Sequence, residues 1–223
     1  MDLQFHPSRK EFELLLDTQL RLVRLEFSDV AAQVETIYPK LAGMFTRVRS
    51  KYFNDANGPI LRTANNAQYT IFLYELSRVM SQVGLKDEAD RIYALLRIVS
   101  AADIYHEVRM PDLWCCDHPL GSVIGRAQFA PGSTLVFSQN CNIGNNRMIY
   151  PRIRGNLHMM PNSSLLGDCV VEGNVVLANG ALAMDAGMLS NCIVFGRSPD
   201  LVLKPLDPQK FEEVSMLREP LAG

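Results

Sequence analysis

The chain of 223 residues has only four side chains suited to moving a proton near neutral pH, the histidines His6, His106, His118 and His158. Transfer of an acyl group to a hydroxyl needs such a base beside the hydroxyl, a group that orients the base, and donors for the oxyanion. His118 directly follows Asp117. His158 lies between Leu157 and Met159, so strand alternation predicts that it points outward as a surface histidine.

Charge and cysteine content exclude several other kinds of chemistry. The 22 basic residues are scattered and the net charge is −2, so we expect no nucleic-acid partner. Five cysteines form neither a CxxC pair nor a zinc-site spacing, which predicts no metal site and buried thiols in a reducing compartment. The first twenty residues do not resemble a signal peptide, and no apolar run is long enough to span a bilayer. These observations predict a cytoplasmic protein without membrane insertion.

The elements that must position these residues fall into two halves. Up to about residue 100, apolar residues recur at the spacing of amphipathic helices, as in Phe12, Leu15, Leu16, Leu20 and Val23. Two further helices are predicted around Phe72 and Leu96, with Gly84 between them as a C-cap. The segment from Asn54 to Pro59 is rich in turn-forming residues and is predicted to be a loop.

The second half follows a period of six. Counting in sixes gives one apolar residue per step at Ile153, Met159, Leu165, Val171, Leu177, Ala183 and Leu189. Two positions later stand residues that suit tight turns, namely Pro161, Gly167, Gly173, Asn179 and Asp185. Neither a helix nor a flat sheet has this period, whereas a three-sided coil of short strands does. A β-sandwich is the alternative, but seven consecutive matches disfavour it.

An earlier block at Ile124, Ala130 and Val136 keeps the same step, while residues 142–151 are out of phase and are predicted to leave the coil as a loop. We therefore predict an α+β protein with a helical N-terminal domain over residues 1–102. A left-handed parallel β-helix follows over residues 103–205, and a C-terminal tail over residues 206–223. The helical half would cap the first coil of the solenoid.

A specific resemblance is carried by the segment at the entrance to this solenoid. Asp117-His118-Pro119-Leu120-Gly121-Ser122-Val123-Ile124-Gly125 resembles a segment of the serine O-acetyltransferase family that begins Asp-His and ends in Gly. Asp103-Ile104 lies fifteen residues before His118, at the spacing of that family's Asp-Ile. Tyr150-Pro151-Arg152-Ile153 resembles its His-Pro-Lys-Ile, and 195–199 resembles its Ala-Gly-Val-Pro ending. The resemblance covers about residues 103–205 and is looser in the helical half.

The resemblance implies a role for each matching residue. His118 would be the general base that takes a proton from the acceptor hydroxyl, and Asp103 would fix its tautomer. Asp117 would help to hold the amino group of an amino-acid acceptor. Asp55 is the one counterpart, by approximate spacing, of an acidic residue that the family brings from its helical domain to bind the same amine. An ordinary solvated loop carboxylate is the alternative for Asp55, and a buried capping pair in an inactive protein is the alternative for His118 and Asp103.

The chain departs from the family where the acceptor carboxylate would bind. The family has an Arg-His pair there, whereas this chain has Ile149-Tyr150, with Arg147 and Arg152 close by. Tyrosine can donate a hydrogen bond but carries no positive charge. Either a neighbouring arginine supplies the missing cation or the acceptor lacks a carboxylate, as a sugar hydroxyl would.

The resemblance also implies a cofactor and an assembly. Acetyl-CoA would be the acyl donor, bound in a groove between neighbouring solenoids along residues Pro161, Ala178 and Asn179. Lys204 or Arg197 would meet its phosphates. Hexapeptide solenoids of this kind assemble as homotrimers or as dimers of trimers, so we expect the same here.

The function predicted from these observations is transfer of an acetyl group from acetyl-CoA to serine or a serine-like small molecule. One alternative is O-acetylation of a sugar or glycan precursor for a surface polysaccharide, which Tyr150 favours and Asp117 and Asp55 disfavour. Another is a catalytically silent trimeric scaffold. The tail ends in Leu221-Ala222-Gly223 rather than in the isoleucine typical of family members that bind a sulfhydrylase, so that complex is not expected.

Overall fold

The computed structural model of this protein describes residues 2–218, which divide into two units at Glu107/Val108. Residues 2–107 form a helical unit, and Val108–Arg218 form a β-solenoid unit. The chain is therefore α+β, as predicted. Residues 219–223 of the predicted tail, including the Leu221-Ala222-Gly223 ending, lie outside the described residues.

The helical unit is built from four helices, α1 (Arg9–Leu20), α2 (Phe27–Thr46), α3 (Asn66–Gln82) and α4 (Lys86–Ser100). The Ser8 hydroxyl caps α1 by accepting from the backbone N–H of Glu11 at 3.2 Å. α3 is buried along most of its length, including the polar residues Gln68 and Glu75, so it forms the centre of the unit. Lys40 Nζ bonds Glu75 Oε2 at 2.6 Å, which pairs the buried carboxylate.

A small sheet replaces the loop expected at Asn54–Pro59. It contains β1 (Gln4–His6), β2 (Asn54–Asp55) and β3 (Gly58–Arg62) in the order β1-β3-β2. β2 and β3 are an antiparallel hairpin, while β1 pairs with β3 in parallel. The turn residues lie where the sequence predicts a turn. The residues on either side of the turn pair as a hairpin, and the distant strand β1 completes the sheet.

The solenoid unit begins with β4 (Leu113–Cys116), and its strands form three parallel ladders, one for each side of the coil. In successive full coils Asn156 pairs with Asn174 and Ser164 pairs with Leu182, offsets of eighteen residues, or three hexapeptides. This is a left-handed parallel β-helix, as the six-residue period predicts. The other strands are β5 (Val123–Ile124), β6 (Gln128–Phe129), β7 (Thr134–Phe137), β8 (Asn142–Gly144), β9 (Arg152–Ile153), β10 (Asn156–Met159), β11 (Ser164–Leu166), β12 (Cys169–Leu177), β13 (Leu182–Met184), β14 (Gly187–Arg197) and β15 (Asp200–Pro205).

The seven positions counted in sixes from Ile153 are all buried. The earlier block is only partly correct. Ile124 is buried, but Phe137 is the residue in register with the interior Met159, and Val136 pairs with His158 on the opposite face of the strand. Ala130 is likewise one residue beyond Phe129, which pairs with the interior Ile153. The six-residue count fails here because Ile124 and Phe129, the interior residues on two successive sides, are only five positions apart. The coil that follows is also longer than eighteen residues, since Thr134 pairs with Asn156, twenty-two positions on.

The loop that lengthens this coil is shorter than predicted. Residues 142–144 are β8 and pair with β11, so the segment outside the ladder begins at Asn145. Asn146 and Ile149 form an isolated bridge at the base of the loop. Asn146 Nδ2 also donates to Asp185 Oδ2 at 2.6 Å, which ties the loop to the corner of a later coil.

The C-terminal segment returns over the outside of the solenoid. β15 pairs in antiparallel with β14, and α5 (Pro208–Val214) follows it. Leu206 and Phe211 pack against the outward-facing Val176, with Met160 and Ile193 at the edge of the cluster. This segment therefore gives one outer face of the β-helix an apolar cover.

Candidate functional site

His118 lies in the turn that follows β4, where the chain enters the solenoid coils. Its backbone has φ 51°, in the left-handed region, and its side chain is 74% exposed. Nε2 lies 3.7 Å from Asp117 Oδ1, and Asp117 is anchored by its backbone N–H, which donates to the Phe137 carbonyl at 2.9 Å. The adjacent Asp-His pair thus presents an accessible base with a carboxylate beside it.

Asp103 belongs to the helical unit and follows α4. Its Oδ1 accepts from the Tyr93 hydroxyl at 2.6 Å, and its Oδ2 lies 3.8 Å from Arg97 Nε. Burial, followed by the hydrogen bond to Asp103, raises the pKa of Tyr93 to about 12, so the phenol remains a donor at physiological pH. The carboxylate of Asp103 is therefore held by two side chains of α4.

The predicted acceptor-binding residues differ in their burial and in the side chains that they contact. Tyr150 is partly buried at the end of the loop. Arg152 Nη2 bonds Asp168 Oδ1, so that guanidinium already has a carboxylate partner. Arg147, on the same loop, is exposed and has no carboxylate within 4 Å among residues 2–218. Asp55 is exposed in β2 and accepts from the Asn57 N–H at 2.8 Å, an Asx turn within the hairpin.

Three of the predicted donor-binding residues, Pro161, Ala178 and Asn179, lie at one corner of the solenoid. Pro161 and Asn179 occupy equivalent places in successive coils, each two residues after the interior residue that ends a strand. The Pro161 carbonyl accepts from Gly180 N at 3.0 Å, and Ala178 N donates to the Val194 carbonyl at 2.9 Å. Lys204 in β15 is exposed, with its Nζ 5.1 Å from the centroid of the Phe195 ring.

His158 faces outward in β10, as the alternation predicts, but it is buried rather than on the surface, with 5% exposure. It pairs between Val136 and Val176 on the face that Leu206 and Phe211 partly cover. Burial lowers the pKa of His158 to about 4, opposed in part by the charge of Asp117. Its Nδ1 is buried and has no hydrogen-bond partner among residues 2–218. The apolar residues of the tail were the only signal in the sequence that this face would be covered.

No group of three or more metal-ligating side chains lies together within residues 2–218. In the same part of the chain, no helix is both long and apolar enough to cross a membrane.

Comparison with known proteins gives a consistent structural answer and no sequence match. No protein-family model matches the chain, and no curated protein is similar to it in sequence. Among solved structures, serine acetyltransferase from Vibrio cholerae O1 biovar El Tor N16961 superposes with a TM-score of 0.70 at 14% identity. It covers 92% of this chain and 83% of the other.

Two further structures were determined with bound ligands. Serine acetyltransferase from Brucella abortus strain S19, in complex with coenzyme A, has a TM-score of 0.65 at 15% identity and covers 90% of this chain and 83% of its own. A serine acetyltransferase in complex with cysteine has a TM-score of 0.66 at 13% identity and covers 93% and 84%. The chain therefore has the fold found in serine acetyltransferases, a helical region followed by a left-handed β-helix.

Proposed function

We propose that this protein is an acetyl-CoA-dependent O-acyltransferase that acts on serine or a serine-like small molecule. The observation that carries the proposal is the exposed His118 beside Asp117, at the turn that opens a β-helix of the serine acetyltransferase fold. A fold alone hosts many activities, so the weight falls on this pair of residues.

In the proposed reaction, His118 accepts the proton of the acceptor hydroxyl while the oxygen attacks the thioester carbonyl carbon. The tetrahedral intermediate then collapses, the carbon–sulfur bond breaks, and the thiolate of CoA takes up the proton from the imidazolium. Asp103 is proposed as the positioning carboxylate. The support is its position in the sequence, fifteen residues before His118, and the two side chains that hold its carboxylate. No covalent enzyme intermediate is required.

The proposed acceptor contacts follow from charge. Asp117, half-exposed beside the base, suits the ammonium group of an amino acid. Arg152 is engaged by Asp168, so Arg147 is the loop cation available for the acceptor carboxylate. A carboxylate-binding arginine on this loop would replace the Arg-His pair of the family, with Tyr150 adding a neutral donor.

Acetyl-CoA is the proposed donor. The support comes from solved serine acetyltransferases of the same fold that were determined with CoA. The stacked corner at Pro161, Ala178 and Asn179 is the proposed path for the pantetheine arm, with Lys204 as a partner for phosphate. All five cysteines are buried, in keeping with the proposed action in the reducing cytoplasm.

The test is release of free CoA from acetyl-CoA in the presence of L-serine. His118→Asn is the informative variant, because asparagine tolerates the left-handed backbone of this turn but cannot act as a base. We expect it to lower kcat by about 10²–10⁴-fold, the usual contribution of a general base. Lys210→Ala, an exposed change in α5, is the control and should leave the rate unchanged. Full activity in folded His118→Asn would overturn the proposal.

The acceptor is tested separately by replacing L-serine with N-acetylglucosamine or a nucleotide sugar. We expect turnover with L-serine to exceed turnover with either sugar. The opposite order would move the assignment to the glycan alternative while keeping the acyltransferase chemistry.

A further inference from the structure

The helical unit contains an open cavity of about 680 Å³ whose walls come from three separate segments of the chain. They are His6-Pro7 at the end of β1, Lys51-Tyr52 before the hairpin, and residues 62–65, which run from the end of β3 to the start of α3. Small-molecule sites in proteins commonly have volumes of about 300–1,000 Å³. None of these residues is used by the proposed acyl transfer.

Strand pairing brings the first and third walls together. His6 and Arg62 are register partners in the parallel pair β1-β3, so their side chains leave the sheet on the same face. Thr63 fastens the junction, because its N–H and its hydroxyl both bond the His6 carbonyl, at 3.1 and 2.9 Å. Two nitrogen-bearing side chains therefore lie side by side at the cavity.

The buried Gln68 of α3 fixes the second wall relative to the third. Its Nε2 donates to the carbonyls of Tyr52 and Ile60 at 2.8 and 2.9 Å, and its Oε1 accepts from the Arg62 N–H at 2.6 Å. Since Gln68 has no exposure to solvent, this brace is shielded from competing water. The cavity walls are thus held in place without a ligand, which lowers the entropy cost of binding one.

The two cations of the cavity, Lys51 and Arg62, form no ion pair within the described part of the chain. Arg62 Nε donates to the Tyr52 carbonyl at 3.2 Å, which leaves its two terminal nitrogens for another acceptor. Lys51 Nζ lies 5.3 Å from the Tyr52 ring centroid. Within residues 2–218 no carboxylate lies within 4 Å of either cation, whereas Arg9, Arg21 and Lys40 of the same unit are each paired with an acid. Among the described residues that line the cavity, none is acidic.

Tyr52 supplies a flat apolar surface in the same cavity. Tyr52 is 55% exposed, although burial of an aromatic ring normally stabilises the fold. An arginine with a free pair of nitrogens matches the geometry of a phosphate, and an exposed ring suits stacking of a planar group. The cavity therefore offers both kinds of contact.

We infer that this cavity binds a phosphorylated small molecule with a planar ring, of the size and chemistry of a nucleotide. Arg62 and Lys51 hold the phosphates and Tyr52 packs against the ring. The helical unit then has a ligand site of its own, in addition to the acyl-transfer residues.

Calorimetric titration of the full chain with ADP and with inorganic phosphate tests this inference. We expect ADP to bind, more tightly than phosphate, and with an affinity that falls as salt is added. Lys51→Gln and Arg62→Gln should each weaken ADP binding at least about tenfold, a loss of one charged contact. Lys86→Gln, which removes an exposed lysine paired with Glu107, is the matched control and should change it less than about twofold.

Lys51→Gln separates binding from folding, because the Lys51 side chain, unlike that of Arg62, forms no hydrogen bond to the cavity wall within residues 2–218. Its thermal unfolding midpoint should equal that of the unsubstituted chain. Absence of ADP binding would overturn the inference, and so would binding that neither Lys51→Gln nor Arg62→Gln weakens, since ADP would then occupy a different site. Equal affinities for ADP and phosphate would overturn the assignment of a ring-bearing ligand.

Discussion

At the scale of single residues, the two histidines of the solenoid unit have opposite environments. His118 is exposed beside a carboxylate, and His158 is buried with an unpartnered Nδ1. A buried neutral imidazole cannot be protonated without either exposing it or placing a charge in an apolar setting. The same residue type therefore serves as a candidate base at one position and as a packed side chain at the other.

His158 should make the protein less stable in mild acid. Its pKa is about 4 in the folded chain, against an ordinary value near 6.5, so between these values the unfolded chain binds more protons and stability falls as the pH falls. From pH 6.5 to pH 5 this contributes a loss of about 2 kcal/mol in the free energy of unfolding. Denaturant titrations at both pH values measure it.

The substitution His158→Gln should remove that contribution, so the difference in unfolding free energy between pH 6.5 and pH 5 should shrink. His118→Gln, which removes an exposed histidine from the same unit, is the comparison and should preserve the difference. An identical pH dependence in the His158→Gln protein and the unsubstituted chain would contradict this interpretation of the burial.

At the scale of elements, the coils of the solenoid approach so closely that side chains are excluded at certain corners. A Cβ on Gly155 would lie 2.2 Å from the Gly173 carbonyl oxygen and 2.5 Å from the Gly173 nitrogen. Both atoms are backbone and are fixed by the ladder between β9, β10 and β12. Only glycine fits at this position without separating two coils.

Gly155→Ala should therefore destabilise the protein by about 1–3 kcal/mol, the usual cost of overpacking a site that cannot relax. Gly43→Ala is a matched control, for which we expect a change in stability of the opposite sign. Gly43 lies exposed in α2, with nothing within 4 Å of the added Cβ, so alanine should stabilise the helix by about 0.5–1 kcal/mol. Denaturant midpoints of the two variants compare them directly. A Gly155→Ala protein as stable as the Gly43→Ala protein would show that the coils can separate at low cost.

At the scale of the whole molecule, the described part of the solenoid unit exposes several large apolar side chains. These include Met148 at 74%, Met188 at 62%, Ile149 at 48% and Met184 at 39%. The Asn146–Asp185 hydrogen bond brings together the two segments that carry them, and a contiguous apolar patch commonly marks an association surface. They support the expectation, taken from the family resemblance, that the protein assembles as a homotrimer or a dimer of trimers.

A homotrimer would have a mass of about 75 kDa, three times the 25.0 kDa of the chain. Sedimentation equilibrium at micromolar concentration should give this mass or twice it. A single species of 25.0 kDa would contradict the expected assembly.

The sequence by itself determined the two-part architecture. The helical spacing before residue 100 and the period of six after Ile153 are local signals, because each reports which side of its own element faces the interior. The sequence also predicted that Asp117 and His118 lie together, since residues adjacent in the chain stay adjacent in any fold. The count failed at Ala130 and Val136, because the step between the interior residues Ile124 and Phe129 is five residues and not six.

Only the tertiary structure decided which side chains are available for function. Arg152 is occupied by Asp168, sixteen residues on, and His158 is buried on a face to which α5 returns. The cavity at Arg62 depends on β1 pairing with a strand more than fifty residues away. Such contacts join segments that are distant in the chain, and their free energies come from packing and pairing across the fold. No local spacing encodes them, so the sequence determined the scaffold and the tertiary contacts determined which of its charged groups remain free.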